Sequence, residues 1–292
     1  MTEVSTDAFF AWLRAPEEGA PYSKHTIKAY AQALSQFLRY LSDIGMESPF
    51  EATEAVVRAF SKKVLADAAR GTRQQKLSAI SLFYRWAQFE GVETENPVQG
   101  LLERRKALRM AREPRRISVP VLSDAEVEML IDGLSELPGA RAVKQLAIVG
   151  AFLDTGLRVS ELLSLTAGQG AALAEGRPAY VVGKGAKERQ VVSLGEFAPY
   201  LRRYLARQSP LGDAPLFPGA GRALRMSETG TYLLVRRALT RAGICNKPQW
   251  GPHLLRHTAA SRMLRAGWSL ARVRDTLGHD NLQTTERYLH AV

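Results

Sequence analysis

The stretch Thr155-Gly156-Leu157-Arg158-Val159-Ser160-Glu161-Leu162 decides the reading of this chain. Helical periodicity runs into it over 142–154 and out of it over 158–165. Gly156 separates the two runs and suits the left-handed position that closes a helix. Arg158 then starts the second helix, where the backbone N–H groups already favour an anion. Glu161, one turn on, is spaced to pair with Arg158 and orient it, although a plain structural ion pair needs the same spacing.

Four more short strings lie toward the C-terminus. Ala179–Val182 and Arg189–Ser193 read as a β-hairpin around Gly183-Lys184-Gly185, with Lys184 at the tip and Lys187 its rival in the same turn. Pro252 marks a helix start before His253-Leu254-Leu255-Arg256-His257, which sets His253 and Arg256 on one face. His279 follows Gly278 at a helix end, and Tyr288 comes after Thr284-Thr285-Glu286-Arg287. Each string alone has a bland reading: a solvated turn lysine, a capping histidine, a tyrosine that packs as Leu282 and Leu289 would. Together, two arginines, a lysine, two histidines and a tyrosine are what metal-free chemistry on a phosphodiester needs. Guanidinium forks match non-bridging oxygens, histidines donate to them, a lysine protonates a leaving oxygen, and a tyrosine hydroxyl attacks. A zinc site at His253 and His257 is disfavoured, because the helix lacks the central Glu and places Arg256 between them. Gly-Lys-Gly lacks the remaining pattern of a nucleotide phosphate loop. No metal and no cofactor is expected.

At these residues the chain resembles the tyrosine recombinases, in particular the Xer type. The family's first arginine stands in a Thr-Gly-Leu-Arg-hydrophobic-Ser-Glu-Leu string, matched at 155–162. Its lysine stands in Gly-Lys-Gly followed by Lys-Glu-Arg, matched at 183–189. Its His-x-x-Arg-His box is matched at 253–257, and its Leu-Gly-His, Thr-Thr pair and tyrosine are matched at 277–288. The likeness covers nearly the whole chain, most strongly 120–288. It implies a mainly α fold. A helical core-binding domain over 1–103 clasps DNA, a basic linker spans 104–119, and an α-rich catalytic domain with a small antiparallel sheet fills 120–292.

The mechanism implied by the resemblance has Tyr288 attack the scissile phosphate, form a 3′-phosphotyrosyl bond and release a 5′-hydroxyl. Arg158 and Arg256 neutralise the non-bridging oxygens, His253 and His279 donate to them, and Lys184 protonates the leaving oxygen. His253 is also the expected acceptor of the tyrosine's proton. Glu161 and His257 support the set. Strand exchange runs through a four-way junction in a tetramer on two duplexes, in dimer or cointegrate resolution or mobile-element integration. A second recombinase or an accessory protein is a further expected class of partner. Type IB topoisomerases use a similar residue set, and a DNA-binding protein without cleavage is the third reading.

Three departures from the family pattern carry expectations. The chain stops at Val292, four residues past Tyr288, where Xer-type proteins continue into a docking helix; protomers are then expected to be monomeric when free of DNA. With so short an N-terminus, no arm-binding domain like that of lambda-type integrases is expected. The stretch 165–176 lacks the usual Asp-Ile, so an irregular first sheet strand is expected.

Charge agrees with a polyanionic partner. The net charge is +11, with 16 Lys/Arg against 14 Asp/Glu in 1–113 and 24 against 15 in 114–292. In the linker, Arg104, Arg105, Lys106, Arg109, Arg112, Arg115 and Arg116 face only Glu113, while Pro114 and Pro120 break any long helix. Arg104, Arg105, Lys106 and Arg109 are the expected phosphate contacts. Upstream, periodic apolar residues predict helices near 5–14, 23–42, 51–68 and 72–90, with Trp12 and Trp86 in the core. Downstream, helices are expected near 196–208, 227–242, 252–266, 269–277 and 281–290. The single cysteine, Cys245, excludes an internal disulfide and reads as a small buried hydrophobe. No long apolar run or signal pattern is present, so a cytoplasmic protein without membrane contact is expected.

Overall fold

The computed structural model describes residues 5–16, 21–110, 119–183, 188–208, 212–219, 224–248, 250–279 and 285–289, the side chains of 105–110 excepted. The chain divides into two compact units, Met1–Arg115 and Arg116–Val292.

The first unit is all helical: α1 (Thr6–Arg14), α2 (Lys24–Asp43), α3 (Glu54–Lys63), α4 (Arg70–Phe89) and α5 (Gln99–Met110). Serines start the first two helices, Ser5 accepting from the Ala8 amide and Ser23 from that of Thr26. The apolar stripes of α2 and α4 pack together, and Phe9, Phe37, Phe60, Phe83, Tyr84 and Trp86 fill the core. Trp86 is buried as expected, and Trp12 packs on the core's edge, stacked on Phe9. The first residues of the expected linker lie in α5, which continues helical to Met110. Leu, Glu, Arg, Lys and Ala in that stretch are all strong helix formers, and the prolines that break a helix come only later.

The second unit begins with α6 (Asp124–Ser135), opened by a capping box in which Ser123 and Glu126 satisfy each other's backbone N–H. The central helix α7 (Gly139–Thr155) has an unbroken buried run from Leu146 to Thr155, so this part is buried on every face and other helices surround it. It packs against α6, α10 (Ala198–Gln208) and α12 (Pro252–Arg265). Between α7 and α10 come α8 (Val159–Ser164), α9 (Ala167–Ala174) and the antiparallel pair β1 (Ala179–Val182) and β2 (Glu188–Val191), with Ala179 opposite Val191. Then follow α11 (Glu228–Arg241), α12 and α13 (Leu270–Leu277). The stretch 165–176 holds α9, started by a Thr166/Gln169 capping box and built from alanines, which favour helix.

Two details correct the sequence expectations. Cys245 is exposed, because Ile244 takes the inward position after α11. Leu289 is exposed beside buried Tyr288. Leu282, and half of the helix expected over 281–290, lie outside the described residues, which show a short helical turn at 285–289. Among the described residues no helix is long and apolar enough to cross a membrane.

Candidate active site

Two helix ends build the site. Gly156 closes α7 at φ +61°, and Gly278 closes α13 at φ +66°. Both positions are doubly restricted: a Cβ on Gly156 would meet Leu277 Cδ2 at 2.5 Å, and one on Gly278 would meet the Arg189 side chain at 2.7 Å. Closing a helix leaves its last carbonyls without intrahelical partners and concentrates negative partial charge there. The two arginines satisfy them. Arg256, only 5% exposed, donates to the Gly156 carbonyl at 2.6 Å and to the Leu277 carbonyl at 2.7 Å. Arg158 donates to the Gly278 carbonyl at 3.0 Å and to Glu161 Oε1 at 2.8 Å. Each guanidinium is thereby fixed by backbone while keeping further N–H groups for another acceptor.

Glu161 is the hinge of the arrangement. The Arg158 backbone N–H donates to its Oε2 at 2.7 Å, and Arg189 grips both carboxylate oxygens, at 2.7 and 2.9 Å. Burial pushes this carboxyl up, but the hydrogen bonds from Arg189 and Arg158 outweigh it and hold the pKa at about 2. Glu161 is therefore ionised throughout the neutral range. Arg189 also donates to the Thr276 carbonyl at 3.1 Å, so it ties strand β2, which leads out of the hairpin, to the helix end beside His279. In the sequence Arg189 is the last residue of the Lys-Glu-Arg string and carries no assigned role. Its fixed position in that string is the one signal that could have marked it.

Arg256 lies near Arg158, and burial together with that neighbour lowers its pKa to about 10. The same environment acts on the histidines. His253 is pushed down by burial, Arg256 and Arg158. His279 is pushed down to about 4 by burial, Arg256 and Arg158, and His257 to about 4 by burial, His253 and Arg256. His257 and His279 are neutral at pH 7, able to donate through one ring nitrogen and accept through the other.

Tyr288 is 2% exposed and packs among Val119, Ala260, Met263, Val273 and Leu277. Burial raises its pKa, against the pull of Arg256 and Arg287. Its ring is stacked on that of His279 at 6.2 Å and 15°. His279 Nδ1 meets the hydroxyl of Thr285, itself fully buried, at 2.9 Å, which gives the second threonine of the Thr-Thr pair a physical task. The Tyr288 hydroxyl meets Nδ1 of His257 at 2.6 Å.

Arg158, Glu161, His253, Arg256, His257, His279 and Tyr288 thus share one region of the second unit. Lys184 and its rival Lys187 lie outside the described residues, as do the side chains of Arg105, Lys106 and Arg109. Arg104 is described, and it pairs with Glu54 on α3 while donating to the Gly100 carbonyl at 3.3 Å. Among the described residues no cluster of three His, Cys, Asp or Glu is arranged to hold a metal ion.

Comparison with known proteins follows the same division of the chain. Residues 120–292 match the Phage integrase family, and residues 6–91 match the Phage integrase N-terminal SAM-like domain. The chain is 30% identical over 297 residues to the tyrosine recombinase XerD of Caulobacter vibrioides, covering 99% of this chain and 92% of the relative. It is 31% identical over 280 residues to the tyrosine recombinase XerC of Thermodesulfovibrio yellowstonii, covering 92% and 86%. The fold is similar to that of XerH recombinase bound to its difH substrate in a pre-cleavage complex, with a TM-score of 0.69 at 18% identity over 90% of this chain and 75% of that one. A lambda integrase dimer bound to a COC′ core site also gives a TM-score of 0.69 at 18% identity, over 97% and 75%. With a family match across the whole second unit and 30% identity to a recombinase over nearly its full length, this chain is a member of the phage integrase family of tyrosine recombinases.

Proposed function

We propose that this protein is a site-specific DNA recombinase that breaks and rejoins strands through a covalent bond between Tyr288 and a 3′-phosphate. The observation that carries this reading is a pair of arginines, Arg158 and Arg256, braced by backbone carbonyls, with His253 and His279 in their field and the buried ring of Tyr288 stacked on His279. Such a braced pair matches the charge that develops on non-bridging oxygens and needs no reorganisation when the phosphate arrives. Tyr288 displaces the 5′-oxygen, Lys184 gives that oxygen a proton, and the phosphodiester energy is kept in the phosphotyrosyl bond for religation. Glu161 and Arg189 act on the phosphate only through Arg158. The reading includes a tetramer on two synapsed duplexes, a monomer when free of DNA and a cytoplasmic location.

The test is to trap a covalent protein–DNA adduct on a nicked suicide substrate carrying the protein's own site, in EDTA and without ATP. An adduct that forms only on that site supports recombination. Relaxation of supercoiled plasmid lacking any such site would instead support topoisomerase activity, and binding with no adduct would leave a DNA-binding protein.

Lys184→Ala is expected to slow cleavage of a normal substrate by about 10²- to 10⁴-fold, the usual reach of a positioned general acid. A substrate with sulfur at the 5′-bridging position should recover most of the rate, because a thiolate leaves without protonation. Lys187→Ala should show neither effect. The reverse pattern would move the role to Lys187.

Neutralising Arg104, Arg105, Lys106 and Arg109 together should weaken binding to all sequences alike. For every phosphate that is no longer neutralised, the slope of log affinity against log salt should flatten by about 0.9. Preference for the specific site should survive, since phosphate contacts position the protein and base contacts specify the sequence. An unchanged salt slope in a filter-binding titration would remove these residues from the DNA interface.

A further inference from the structure

We propose that His257, rather than His253, takes the phenolic proton of Tyr288 as that residue attacks the scissile phosphate. The inference rests on the recombinase reading above and adds a catalytic residue to it. Among the described residues, His257 is the one histidine whose ring nitrogen reaches the nucleophile's hydroxyl, at 2.6 Å through Nδ1. The two rings lie 5.5 Å apart at 45°, so contact is through the hydroxyl and not by stacking. His279, the other ring against Tyr288, lies over its face and spends Nδ1 on Thr285. His253 stands one turn before His257 on α12.

The chemistry requires an acceptor here. A phenol with a pKa of 10 or more is ionised to about one part in a thousand or less at pH 7, and burial raises Tyr288 further. The acceptor must itself be neutral, and burial, then His253, Arg256 and Arg287, hold the pKa of His257 at about 4. The tautomer protonated on Nε2 then turns the Nδ1 lone pair to the hydroxyl. The charged and titratable groups facing it are these three, Tyr288 itself, and His279 from beyond α13. An incoming phosphate is anionic and offsets the part of that depression due to Arg256. The base therefore gains strength as substrate binds, which discourages premature ionisation of Tyr288. In the step, the Tyr288 O–H proton passes to His257 Nδ1, the freed oxygen bonds to phosphorus, the P–O5′ bond breaks, and the 5′-oxygen takes the Lys184 proton. Religation reverses each transfer.

The experiment measures single-turnover cleavage of the suicide substrate against pH, with DNA binding followed separately by gel shift. Wild-type cleavage should vary little between about pH 6 and 8, where the acceptor is already neutral. His257→Asn keeps a hydrogen-bond acceptor near the hydroxyl but cannot take a proton. Its rate should fall by about 10²-fold or more and climb about tenfold per pH unit, because only pre-formed phenolate then reacts. Added imidazole should restore part of the activity of His257→Ala. His253→Gln should be slower without acquiring that slope. A wild-type rate for His257→Asn, a loss that is uniform across pH, or the slope appearing in His253→Gln instead would overturn the assignment. Tyr288→Phe in the same assay keeps the two levels apart: an adduct formed by that variant would defeat the recombinase reading itself, whatever His257 does.

Discussion

Tyr288→Phe should abolish covalent adduct formation, a loss on the order of 10⁴-fold or more, as expected when the nucleophile itself is removed. The substitution deletes one oxygen from a ring that is 2% exposed and packed among Val273, Leu277 and Met263, so the surrounding core keeps its shape. The local change is removal of the hydrogen bond to His257. A neutral hydrogen bond contributes about 1 kcal/mol net, so stability should shift little, and affinity for site DNA should stay near wild type. Denaturation midpoint, gel shift and adduct yield on one preparation separate these effects. An adduct at wild-type yield would send the search to another hydroxyl. Tyr232 is one such group, exposed on α11 with its hydroxyl 3.3 Å from the Trp250 carbonyl.

Arg256→Ala is expected to lower the cleavage rate by about 10²- to 10³-fold, the range seen when one donor to a developing charge is removed. Unlike the tyrosine change, this one should also weaken the fold. Arg256 is buried, and both of its described hydrogen bonds go to carbonyls at helix ends, Gly156 and Leu277. Leaving buried acceptors unpaired costs about 1–3 kcal/mol each, unless water enters the space. Arg256→Lys keeps the charge but not the fork, and one ammonium cannot span two carbonyls and a phosphate in the same geometry. It should therefore recover little of the rate. Stability and single-turnover rate measured together are the check. A lysine variant with wild-type rate would show that charge alone suffices and that the braced fork is dispensable.

Many of these features are legible in the linear order of residues. The helical spacing in 23–42 and 72–90, the Ser123/Glu126 capping box, the glycine at 156 and the hairpin around 183–185 are local patterns. Local propensity, capping and turn chemistry act within a few residues, so they leave their traces in neighbouring positions. The residues expected to do chemistry are legible for another reason. Three of them sit just after a glycine or proline that sets the backbone: Arg158 after Gly156, His253 after Pro252, His279 after Gly278. The misreading of Cys245 as buried is also local, since its neighbour Ile244 takes the inward position.

Only the tertiary structure decided the partners. Arg189 and Glu161 are 28 positions apart, Arg158 and the Gly278 carbonyl 120, Arg256 and the Gly156 carbonyl 100, and His257 and Tyr288 31. No spacing rule links such pairs, because their meeting depends on how α7, α12 and α13 pack. Several of the acceptors are also backbone carbonyls, which every residue carries and which leave no mark in a sequence. The sequence reading gives the proton-accepting role to His253. His253 and His257 stand one turn apart on one helix, and spacing alone does not say which of them faces the nucleophile. The packing of Tyr288 against α12 and α13 decided between them, and it did so by burying the phenol with its hydroxyl against Nδ1 of His257.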